Sequence, residues 1–67
     1  MLEEFIQRLE DIKSELEQLS EEEQDKFDNL PENLQGGEKA EAFQTAADTL
    51  TEQADAIGDI IDALQEL

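Results

Sequence analysis

Six carboxylates, Asp48, Glu52, Asp55, Asp59, Asp62 and Glu66, recur at alternating steps of four and three residues with no basic residue among them. On a helix such steps align side chains along one face, and like charges at those spacings repel by a few tenths of a kcal/mol per pair. A ladder of that kind does electrostatic chemistry, holding a row of anions where a basic surface can meet it. Bond-making chemistry has few candidates. The chain contains no His, Cys, Tyr or Trp, so the usual general base, thiol nucleophile and phenolic acid are missing. Paired carboxylates can hydrolyse glycosides, but acids on an open helix face have no cleft to hold a sugar, and an enzyme is not expected.

Carboxylate metal centres in helix bundles draw on Glu-x-x-His pairs, and calcium loops on an Asp-rich run with a central Gly; the sequence has neither. Divalent cations are expected to condense loosely along the acidic faces, and no cofactor is implied. Gly36-Gly37-Glu38-Lys39 leads glycines into a helix start, an arrangement that can cradle phosphate. The surrounding carboxylates oppose an anion there. A plain helix end and restart is the preferred reading, with a nucleotide-sequestering oligomer kept as a minor alternative.

Twenty Asp and Glu against four Lys and Arg give 67 residues a net charge of −16. Such a field repels nucleic acid and anionic lipid and attracts basic proteins, so direct nucleic-acid or membrane binding is not expected. Leu, Ile, Phe and Ala nonetheless recur regularly, which argues for a folded chain despite the charge. A chain this short buries only about 60% of its unfolded surface. Without cysteine it has no disulfide to compensate, and self-association is the obvious source of extra burial. Met1 is followed by Leu2, Glu3 and Glu4, the reverse of a basic signal-peptide start, and no apolar run reaches the ~20 residues of a membrane span. The expected location is cytoplasmic.

The elements that must position the ladder are two helices. Leu2, Phe5, Leu9, Ile12, Leu16 and Leu19 step by three and four, predicting a packed seam on a first helix near 2–29. Glu23 and Lys26 interrupt that series, which resumes out of phase at Phe27 and Leu30. Ser20 and Glu23 match a capping box, but a continuous helix with a local shift of face is preferred to a restart. Pro31 disfavours helix at Leu30, and Gly36-Gly37 can adopt positive φ, so 30–37 is the connection. Pro31 to Leu34 could form one helical turn, with Phe27, Leu30, Leu34 and Phe43 as an apolar plug. A second helix near 38–66 carries the seam Phe43, Ala47, Leu50, Ala54, Ile57, Ile61 and Leu64. Matched lengths predict an all-α antiparallel two-helix hairpin. Small residues, Gly58 among them, would admit a neighbouring helix. Ile6, Ile60, Ala63 and Leu67 fall outside both seams, so a homodimer or higher oligomer forming a four-helix bundle is expected.

The segment from Phe27-Asp28-Asn29-Leu30-Pro31-Glu32 through Gln35-Gly36-Gly37-Glu38, with the spaced Leu/Ala/Ile helix after it, resembles a group of short acidic proteins of Gram-positive bacteria and their phages and mobile elements. The resemblance covers about two thirds of the chain. It implies a helical hairpin of phage or mobile-element origin and transfers no catalytic or binding residues.

A solvated face that keeps a small protein soluble is the plain explanation of a charge run. Three details favour use. The ladder is single-signed where interspersed Lys would stabilise the helix. Asp59, Asp62 and Glu66 approach a helix C-terminus, where the macrodipole disfavours anions. Glu3, Glu10 and Glu17 extend the charge along the other helix. The expected function is a nucleic-acid mimic that blocks a basic DNA- or RNA-handling protein, as in phage counter-defence; the alternative is a structural assembly module that binds through apolar surface.

Overall fold

A computed structural model describes residues 1–67 as two long helices joined by a short turn, with no strand. Helix α1 spans Leu2–Asp28, a 3-10 turn spans Glu32–Leu34, and helix α2 spans Glu38–Gln65. The first helix contains no Gly or Pro. Acids Glu3 and Glu4 lie in its first turn and Lys26 in its last, as the macrodipole favours. It runs unbroken through Ser20, so continuity holds and no capping box forms. The Asn29 N–H closes on the Asp25 carbonyl at 2.9 Å, and Pro31 then turns the chain with φ −57 and ψ 147.

The turn is held by its backbone and one side chain. The Leu34 N–H donates to the Pro31 carbonyl at 2.8 Å, and Gln35 Nε2 donates to the Leu30 carbonyl at 3.1 Å. Gly37, extended at φ −90 and ψ 179, precedes α2, and no glycine has positive φ. The 3-10 turn uses only right-handed conformations, so the left-handed geometry expected of Gly36-Gly37 is not needed. Phe27, Leu30 and Phe43 are half-buried at this end, but Leu34 is 50% exposed and drops out of the expected plug.

The helices pack side by side into a rod whose Cα extents are 51 × 14 × 11 Å. Helix α2 contributes Ala40, Phe43, Ala47, Leu50, Ala54, Ile57, Ile61 and Leu64, the expected seam plus one residue. Its fully buried members, Ala40, Ala47, Ala54 and Ile61, form one seven-residue column, and three alanines in it let α1 approach closely. The seam of α1 differs from expectation. Its less exposed residues are Ile6, Leu9, Lys13, Leu16, Ser20, Glu23 and Phe27, again in steps of three and four and continued by Leu30 just past its end, with Gln24 beside them. Phe5, Ile12 and Leu19 point outward, 45–49% exposed. The row beginning at Phe5 reaches Lys26 and ends. Only the neighbouring row reaches Phe27 and Leu30 and can match all eight positions of α2, so it wins despite Lys13, Ser20 and Glu23, and no shift of face occurs.

Candidate functional site

Polar contacts fix which side of the rod is which. Ser20 Oγ lies 2.9 Å from the Ala47 carbonyl oxygen and 2.8 Å from Thr51 Oγ1, itself 3.0 Å from that carbonyl. Gln44 Nε2 donates to Gln24 Oε1 at 3.3 Å and to Asp48 Oδ1 at 3.2 Å. Gln24 continues the seven-residue row Glu3, Glu10, Glu17, and Gln44 the row of Thr51 and Gly58. Those rows therefore meet along one edge of the seam, and the acids of α2 begin immediately beyond it.

All six ladder residues, Asp48, Glu52, Asp55, Asp59, Asp62 and Glu66, are exposed, and none has an ion pair. They form two adjacent seven-residue rows, 48-55-62 and 52-59-66, on the side of α2 turned away from the buried alanine column. Glu3, Glu10 and Glu17 join them from α1 across the polar edge. Both ion pairs of the protein belong to α1: Lys13 Nζ to Glu17 at 3.3 Å, and Lys26 Nζ to Glu23 at 3.1 Å. Gly58 sits where α2 passes Lys13; a Cβ there would lie 3.1 Å from Lys13 Cε. The glycine makes room for that lysine rather than for a further helix. No three carboxylates converge on a point where a metal ion could bind.

The opposite edge is different in kind. The rows bordering the seam there are Phe5, Ile12, Leu19, Lys26 on α1 and Lys39, Ala46, Gln53, Ile60 on α2. The next α2 row outward is Ala42, Thr49, Ala56, Ala63. Across these rows there is no acid. Arg8 lies on the outer border beside Glu15 and Glu22, so three of the four basic residues, Arg8, Lys26 and Lys39, belong to this side. Lys26 Nζ also lies 6.0 Å from the Phe43 ring centre. The charges are thus sorted around the rod, with a carboxylate side and an apolar side that gathers three of the four cations at its borders beside Glu15 and Glu22. At the open end a shallow groove of about 330 Å³ is lined by Leu2, Ile6, Leu64 and Leu67 with Glu3 and Glu10 at its rim. Ile6, expected outside the seam, lies in it.

The cation-edged apolar side is what reading the sequence missed. Its signal was present, since Lys13 and Ser20 fall in phase with Phe27 and Leu30, and choosing that phase would have turned Phe5, Ile12 and Leu19 outward. No protein-family model, curated protein or solved structure matches the chain.

Proposed function

We propose that the protein is a non-catalytic acidic binding module: its carboxylate side occupies the phosphate-binding groove of a basic DNA- or RNA-handling protein, and two hairpins associate as a four-helix bundle to present it. The observation that supports this reading is the sorting of charge. Six exposed carboxylates in two rows carry no compensating cation, while both ion pairs lie in the other helix. Sixteen net charges over a 51 Å rod amount to one per about 3.2 Å, against one per ~1.7 Å in duplex DNA. Helix packing fixes these carboxylates on a rod, so less ordering entropy opposes binding than for an acidic tail. The resemblance to proteins of phages and mobile elements suggests a host defence or replication factor as the partner.

Capture of a partner from bacterial lysate, followed by competition with its nucleic acid, tests the mimic. Binding should weaken steeply with salt and yield to DNA or RNA. Reversing Asp48, Glu52, Asp55, Asp59, Asp62 and Glu66 to Lys should abolish it while circular dichroism remains helical; unchanged affinity would remove the ladder as the binding surface. The exposed Ile60 and Leu67 favour a second reading, an assembly module, whose partner binding would be nearly insensitive to salt and would survive that reversal.

A further inference from the structure

The side without acids exposes Phe5 (49%), Ile12 (45%) and Leu19 (46%) in one row of α1, with Ile60 (49%) beside them on α2. We infer that a second copy of the chain covers it, related by a two-fold axis along the rod, so that α1 of each copy lies over α2 of the other. This rests on the pairing of hairpins proposed above and specifies the surface, the symmetry and its effect on the acidic side.

Area, charge and shape select this occupant. The Cα outline of this face, 51 × 14 Å, is a footprint of the size needed to bury the roughly 800 Å² per partner of a stable interface. Two chains of −16 each can approach closely only where carboxylates are absent, and this is that side. Arg8 and Lys39 have no ion pair in the hairpin and border it. A basic partner is drawn to the opposite side, and an uncharged apolar helix would offer Arg8 no ion pair. A second copy supplies one. Lys13 passes Gly58, and Ser20 lies level with Ala47 and Thr51, which puts Arg8 level with the turn from Asp59 to Ala63. An axis along the rod preserves that level, bringing Arg8 within side-chain reach of Asp59 of the second copy across the small Ala56 and Ala63. Size matches as well: α1 offers the bulky Phe5, Ile12 and Leu19, and α2, around Gln53 and Ile60, the small Ala42, Ala46, Thr49, Ala56 and Ala63, so large residues of one copy seat between small ones of the other.

The pair carries −32 over the same 51 Å, one charge per about 1.6 Å, which reaches the ~1.7 Å spacing of duplex DNA. It also places the two acidic sides on opposite outer surfaces. Glu15 of each copy meets Glu52 of the other at the rim, so added salt strengthens the pair by screening, the reverse of its effect on a basic partner.

Sedimentation equilibrium of the full chain tests this without any other protein. A dimer that tightens from low to high NaCl is expected. Ile12→Glu and Leu19→Glu, at positions the hairpin leaves half exposed, should each weaken it at least a hundredfold with helicity retained, while Gln18→Glu, outside the face, should not. Mixing L19C chains with Q53C chains under oxidation should give the mixed disulfide in excess of either self-linked product. A monomer at every concentration and salt, a dimer indifferent to both Glu substitutions, or dominant self-linking of Q53C, which signals the end-to-end reversed stack, would each overturn the inference. Salt-sensitive binding of a basic partner by a proven monomer would leave the mimic standing and remove only the pair.

Discussion

Ile61 and Ile60 are adjacent in sequence and opposite in circumstance: the first is 6% exposed and closes the alanine column, the second is 49% exposed. Truncating Ile61 to Ala removes buried methylenes beside residues that cannot collapse into the space, at about 2–5 kcal/mol, most of the stability of a domain this size. Urea titration should show that variant largely unfolded, whereas Ile60→Ala should change hairpin stability by less than about 1 kcal/mol and act on pairing instead. Gly58 poses a finer question of sign. Alanine there gains up to about 1 kcal/mol of helix propensity, and its Cβ would meet Lys13 Cε at 3.1 Å. That carbon lies near the end of a flexible side chain, so it moves aside. Gly58→Ala should stabilise the hairpin, seen as a raised urea midpoint, with the Lys13–Glu17 pair shifted.

Helix α2 sustains its own electrostatic discomfort. Asp59, Asp62 and Glu66 crowd its C-terminal turns with no ion pair inside the hairpin and no basic residue in the last turn, where each anion costs a few tenths of a kcal/mol against the macrodipole. Replacing them together with Asn, Asn and Gln should raise stability by about 1 kcal/mol at low ionic strength, and that gain should shrink as salt is added. A thermal melt over a salt series measures both. The helices themselves were legible from sequence to within a residue, because Pro31 and the acid-led start at Glu38 punctuate the chain with unambiguous local chemistry. The ladder was legible too, since exposure follows directly from a single-signed row. What resisted was the phase of α1. Phe5, Ile12 and Leu19 share Leu9 and Leu16 with the row that packs, so two adjacent apolar stripes compete. The outcome depends on matching the whole length of α2, which is tertiary information. With the phase misjudged, the gathering of Arg8, Lys26 and Lys39 at one side was hidden, although all three are plain in the sequence.

At the scale of the whole rod, repulsion among 20 acids facing four bases opposes the compact state. The melting temperature should therefore rise with ionic strength; a fall would mean that the two ion pairs of α1 outweigh the rest. The 3-10 turn at Glu32–Leu34 also carries a kinetic consequence. Across it Gln24 and Gln44 are bonded only 20 positions apart in the chain, while Ile6 and Leu64 can meet only after almost the entire chain has been ordered. Loop closure costs more the longer the loop, so the hairpin should zip from the turn outward and open in the reverse direction. Amide hydrogen exchange followed along α1 should show slow exchange near Gln24 and progressively faster exchange toward Phe5, a gradient of opening that makes the open end the place where the protein is first undone.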